Sequence, residues 1–153
     1  MILLGRFLLK MKENNFKLLP STDPLLRKVC RPVTADDDIA EIVAALEEIC
    51  LQNNGAGLAA NQIGADVRIF VLNVSGMRTY INPEILHAQE LEPFFGEGCL
   101  SFPGEILCTR RFEKITIRAD NCDSEELEGL EAIAFQHELD HLDGITMHYR
   151  RIS

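Results

Sequence analysis

His137 and His141 stand four residues apart with Glu138 behind the first, a spacing that brings the two imidazoles together only on a helix. There they share one face, about 6 Å apart along the axis, where they can grip a single metal ion. Glu138 then sits within reach of a water on that ion as general base. A helix rich in Glu and His can also show this pattern with its histidines capping or solvated. An open catalytic site needs a third protein ligand as well. Downstream the nearest candidate is His148. In the metzincin spacing H-E-x-x-H-x-x-G-x-x-H the glycine matches Gly144, but the last position is Met147 and His148 falls one residue late. His148 therefore reads as a surface histidine. Asp140 and Asp143 are possible oxygen ligands, but Asp140 is out of phase with the pair, and a salt bridge suits it better. Upstream, Glu97-Gly98-Cys99-Leu100-Ser101-Phe102-Pro103 offers the Cys99 thiolate, and one Cys with two His suits Fe(II), Zn or Co. Otherwise a lone cysteine is a small buried hydrophobe, which is the reading of Cys30, Cys50, Cys108 and Cys122.

Around this helix the chain reads as α+β. Its 153 residues, 46% hydrophobic, suffice for one domain with a real core. Ile39, Ile42, Val43, Leu46, Ile49 and Cys50 recur at helical spacing behind Asp36–Asp38, and Asn53-Asn54-Gly55 ends that helix. Residues Gly55–Gly64 form a small-residue loop. Val67–Val74, Thr79–Ile81 and Lys114–Arg118 read as strands. Asp123-Ser124-Glu125-Glu126 looks like a capping box opening the last helix, which runs to about Leu142 and stops at Gly144. The expected architecture is mainly antiparallel sheet wrapped around a central C-terminal helix carrying the H-E-x-x-H residues. Residues 17–153 form one domain behind an N-terminal extension, 1–16. Met1–Lys10 looks faintly like a signal peptide, but Arg6 interrupts it and no small-x-small cleavage site follows; Met11 is an alternative start. No apolar run approaches the ~20 residues that span a bilayer. A net charge of −9 argues against nucleic acid as the main partner, and five cysteines in no regular framework fit reduced thiols in the cytoplasm.

Three stretches carry a resemblance. Gly55-Ala-Gly-Leu-Ala-Ala-Asn-Gln-Ile-Gly64, Glu97-Gly-Cys-Leu-Ser101 and Gln136-His-Glu-Leu-Asp-His-Leu-Asp-Gly144 match G-x-G-L-A-A-x-Q-x-G, E-G-C-L-S and Q-H-E-x-D-H-L-x-G, the three motifs of the peptide deformylases, in family order. Weaker matches lie at Asp23–Arg27, Ile81–Glu84 and Arg111, so that the chain resembles that family from about Lys17 to Ser153. The resemblance implies one divalent metal, Fe(II) in the cell with Zn, Ni or Co tolerated, held by Cys99, His137 and His141. Glu138 would be the acid/base, and the Gln62 amide with the Leu100 N–H would stabilise the oxyanion. It implies hydroxide on the metal attacking the formyl carbon of N-formylmethionyl nascent peptides and releasing formate. Gly57 and Gly98 would pair with the peptide backbone as with an added strand. Ala56, Leu100, Ile133, Ala134 and His137 would form the methionine pocket.

Two departures stand out. The sequence stops at Ser153, where many bacterial deformylases continue into a C-terminal helix that contacts the ribosome. It thus resembles the short phage-encoded forms, acting in a host cytoplasm with only transient ribosome contact. Ile106 falls where some members carry a peptide-binding arginine, so either the preference beyond the methionine differs or another cation, with Arg110 the candidate, substitutes. The competing readings are a zincin-like protease, disfavoured by the misplaced His148, and an inactive peptide-binding relative, which would be expected to have lost Glu138 or Gln62.

Overall fold

The computed structural model describes residues 15–153. The signal-like start, Met11 and all but the end of the 1–16 extension lie outside the described residues. Helix α1 (Ala40–Gln52) is followed by β1 (Gly57–Ala59), a 3-10 turn (Ala60–Ile63), β2 (Ile69–Asn73) and β3 (Met77–Ile81). Then come β4 (Glu84–Cys99), β5 (Phe102–Ala119), β6 (Cys122–Glu128), α2 (Gly129–Leu142) and a last 3-10 turn (Met147–Arg150). Two antiparallel sheets result, β1-β2-β3 and β4-β5-β6.

The two sheets share α2 as their filling. Phe135 of α2 meets Phe70 of β2 and Tyr80 of β3 edge-on, with ring centroids 5.0 and 5.1 Å away. Ile115 and Ile117 of β5 and Leu127 of β6 belong to the same buried cluster. On the other side of β2, Ala45, Leu46 and Cys50 of α1 pack with Leu58, Ile63, Ile69 and Val71. Residues of β2 thus alternate between two cores, Phe70 and Leu72 into one, Ile69 and Val71 into the other. That is why Ile69-Phe-Val-Leu72 is an unbroken apolar run: both faces of this strand are covered. Among the described residues no helix is long and apolar enough to cross a membrane.

Several expectations are corrected. The last helix does not open at Asp123. Residues Cys122–Glu128 are β6, paired antiparallel with β5 through Leu127↔Ile115 and Glu125↔Ile117. Asp123, Glu126 and Glu128 are exposed, Glu125 is half-buried against Arg78 and Leu127 is buried, and Gly129, at φ 63°, makes the break into α2. The stretch Gly55–Gly64 is not a plain loop but β1 plus a 3-10 turn, closed by Gly64 at φ 95°. Strand β4 escapes a reading by hydrophobic alternation because most of its residues are exposed. Its backbone pairing to β5 holds it, and the expected Lys114–Arg118 strand is only the end of β5.

The C-terminal end of α2 is clamped by the segment that precedes α1. Cys30 N–H donates to the Leu142 carbonyl at 2.8 Å, and Arg68 reaches the same carbonyl at 3.0 Å and the Asp143 carboxylate at 2.8 Å. Gly144 then turns at φ 71°, and a Cβ there would stand 2.7 Å from the Arg27 carbonyl. Gly144→Ala is therefore expected to cost about 2–4 kcal/mol, left-handed strain plus overpacking against backbone. Urea unfolding would measure it, and a loss below about 0.5 kcal/mol, the size of a neutral surface change, would show the clamp to be loose.

Candidate active site

Each of the three motifs delivers its side chains from a different element to one point. Cys99 ends β4 and pairs with Phe102 of β5, so Leu100 and Ser101 form a two-residue turn over α2. The previous pair is Glu97↔Leu107. Between the two pairs β4 has only Gly98, whereas β5 has Pro103 to Ile106, which bulge outward as a lip over a cleft of about 430 Å³. Across the cleft floor, β1 brings Gly57 against α2. A Cβ on Gly57 would lie 2.9 Å from both Cγ and Oε1 of Glu138, so the close approach requires glycine.

At the floor the ligand atoms of Cys99, His137 and His141 lie within 4.8 Å of one another. The two Nε2 atoms are 3.2 Å apart, and Cys99 Sγ is 3.3 Å from His141 Nε2. Three lone-pair donors converging this closely need a cation or a proton between them. Burial lowers the His141 pKa well below its ordinary value, with the neighbouring His137 adding to the effect. Burial also opposes a charge on His137, but hydrogen bonds to Cys99 and Glu97 outweigh it and push His137 up to about 10. One thiol and two imidazoles converging on a point make a donor set that fits a divalent ion. By contrast, burial pushes Cys30 and Cys50 up to about 11, as expected of inert core thiols.

Gln62 stands beside the trio with its amide direction settled. The Ala59 N–H donates to Oε1 at 2.9 Å, so Nε2 faces Ser101 Oγ at 3.0 Å and Cys99 Sγ at 3.6 Å. Glu138 is buried, its Oε2 has no partner, and burial pushes its carboxyl up to about 7.

Behind the trio runs a buried chain of charges. His137 Nδ1 lies 2.7 Å from Glu97, leaving Nε2 as the lone-pair face. Arg111 donates through Nε to Glu97 at 2.9 Å and through Nη1 to Asp140 at 2.7 Å, and Thr109 also donates to Glu97. Asp140 is held in addition by Arg150 at 2.8 Å, in keeping with the salt-bridge role its phase suggested. Asn61 Nδ2 donates to the His141 carbonyl at 2.6 Å. Glu97 and Arg111 lie within motif matches, but nothing in the linear order shows that they are each other's partners.

The remaining expected site residues divide between two hollows. Ala56, Gly57, Gln62, Gly98, Cys99, Leu100, Ala134, His137 and Glu138 line the cleft. Ile133 instead lines an adjoining hollow of about 380 Å³ with Val74, Phe94 and Leu130, and Ala56, Gly98 and Ala134 border both. Ile106 is on the cleft lip, whereas Arg110 borders a separate depression with Arg150, so the structure does not place it as the substitute cation. His148 stays outside the trio, between Thr146 and Glu105.

Two imidazoles and a thiol around one point, a buried carboxylate beside them and an oriented amide opposite define the site of a metallohydrolase. The polypeptide deformylase family model matches residues 16–153. A peptide deformylase of Thermotoga sp. strain RQ2 is 41% identical over 131 residues, which cover 82% of this chain and 80% of that protein. One from Clostridium perfringens is 43% identical over 131 residues, 80% of this chain and 88% of its own. The crystal structure of the Thermotoga maritima peptide deformylase superposes with a TM-score of 0.83 at 36% identity, covering 90% of this chain and 98% of that one. The actinonin complex of the Synechococcus elongatus enzyme gives 0.82 at 30% identity, with 94% and 82% covered. The chain belongs to the peptide deformylase family.

Proposed function

We propose that this chain removes the N-formyl group from N-formylmethionyl nascent peptides in the cytoplasm, releasing formate. The observation that carries this reading is the convergence of Cys99, His137 and His141 on one point flanked by Glu138 and the Gln62 amide. On this reading the three side chains hold one divalent ion, Fe(II) in the cell and replaceable by Zn, Ni or Co. When bound, it lowers the pKa of a water and polarises the formyl carbonyl.

The chain's own groups do the rest. Gly57 and Gly98 offer backbone to the peptide, and the apolar hollow beside Ile133 and Ala134 receives the methionine side chain. Gln62 Nε2 and the Leu100 N–H donate to the formyl oxygen as it gains negative charge. Glu138 takes a proton from the attacking water and gives it to the peptide nitrogen as the C–N bond breaks. A carboxyl near pH 7 suits both halves of that transfer. Ribosome contact, if made during synthesis, is transient and needs no nucleic-acid site.

Gln62→Leu is expected to lower kcat about 10²- to 10³-fold with little change in KM, since the donor acts on charge that develops only in the transition state. Steady-state kinetics measure this, and a loss under threefold would remove Gln62 from that role. The reading as a whole is tested by formate release from formyl-Met-Ala beside acetyl-Met-Ala. Formate from the first with no hydrolysis of the second supports deformylation. Intact formyl peptide at full metal occupancy would leave a peptide-binding relative.

A further inference from the structure

The cleft has one charged side chain at its mouth. Among the described residues lining it, His137, Glu138 and Cys99 lie at the floor, no Lys or Arg is present, and Glu105 sits on the lip beside Ile106. The lip exists because four residues of β5 bulge against the single Gly98 of β4. Glu105 has a partner there. His148 Nε2 holds its Oε1 at 3.2 Å, and His148 is itself fixed by Thr146 Oγ1 at 3.0 Å and by the Phe102 ring at 4.6 Å. The Glu105 side chain is still 47% exposed, so a carboxylate is presented to the cleft from a braced position. Asn53 and Asn54 also line the cleft and carry no charge.

We propose that Glu105 makes the cleft select formylated peptides with a cationic side chain in the two residues that follow formyl-methionine. This rests on the deformylase reading. A lysine or arginine entering under the lip meets a carboxylate that it shares with His148 and no Lys or Arg lining the cleft, while an acidic side chain meets repulsion from Glu105. Ile106 adds apolar surface for the methylene stem of such a side chain.

The test uses the metal-loaded protein and formyl-Met-Xaa-Xaa amides with Xaa as Lys, Ala or Glu. The expected ratio of kcat/KM for the Lys peptide over the Glu peptide is about tenfold at low ionic strength, collapsing near 1 M salt where the Debye length is about 3 Å. In Glu105→Gln the ratio should fall toward 1, and in Glu105→Lys it should invert. Each ratio is taken within one protein, so a general loss of activity in a variant cancels. A wild-type ratio near 1 with the Ala peptide turned over would overturn the proposal while leaving deformylation standing. A ratio unchanged in Glu105→Gln would overturn it too, and would assign selection to the net charge of −9. No turnover of the Ala peptide would overturn the deformylase reading and this one with it.

Discussion

Glu138→Gln is expected to lower kcat for formate release by about 10²- to 10⁴-fold, with KM for the peptide nearly unchanged. Glutamine keeps the shape that packs against Gly57, where a methyl group would already lie 2.9 Å from the side chain, so the variant tests proton transfer rather than packing. What it removes is specific. Glu138 is a buried carboxyl whose Oε2 has no protein partner, and desolvation pushes its pKa up to about 7, which suits the proposed transfer of a proton from water to the leaving amine. Metal content should stay at the wild-type level, because Glu138 is not one of the three converging donors. A variant that keeps its metal and more than a tenth of wild-type kcat would show that another group moves the proton.

Arg111→Met is expected to destabilise the fold by about 3–5 kcal/mol, a large share of the roughly 5–15 kcal/mol that holds a domain of this kind together. Methionine fills most of the space, so the loss comes from charge. Arg111 is 3% exposed and lies between Glu97 and Asp140, and removing it leaves the Glu97 carboxylate buried with His137 and Thr109 as partners. Burial alone would raise the Glu97 pKa, but hydrogen bonds from His137 and Arg111 hold it down at about 2. A depressed carboxylate stabilises the fold above its ordinary value of 4.5, and that stabilisation is lost as the pH falls through about 2. The variant should therefore lose its excess stability at neutral pH and differ least from wild type in strong acid. Urea midpoints across pH measure both effects, and a loss below 1 kcal/mol at neutral pH would mean the chain of charges is decoration.

The helix with His137 and His141 is legible because ligand spacing and helical period coincide, and the place of Cys99 beside them comes from its chemistry and the motif resemblance. Strand β2 is legible from its apolar run. Strand β4 is not, because an exposed strand held by backbone pairing leaves no alternation to read, and β6 reads as a helix start because Asp123 and Glu126 stand at capping-box spacing. The braces behind the site were hidden for another reason. Glu97, Arg111 and Asp140 are 14 and 29 residues apart along the chain, and only the folded β4–β5 hairpin lying on α2 makes them neighbours. The same holds for the tie from His148 to Glu105, 43 residues upstream.

On the proposed function, one divalent ion held by Cys99, His137 and His141 makes this chain a deformylase. Stripping the protein with a chelator and titrating it anaerobically with Fe(II), while following formate release from formyl-Met-Ala, measures this. Activity should be absent at the start, rise in proportion to added metal and stop at one ion per chain, and Cys99→Ala should fail to reach that plateau. Formate release by the stripped protein, or a Cys99→Ala variant that saturates and turns over like wild type, would rule out this metal site as the source of activity.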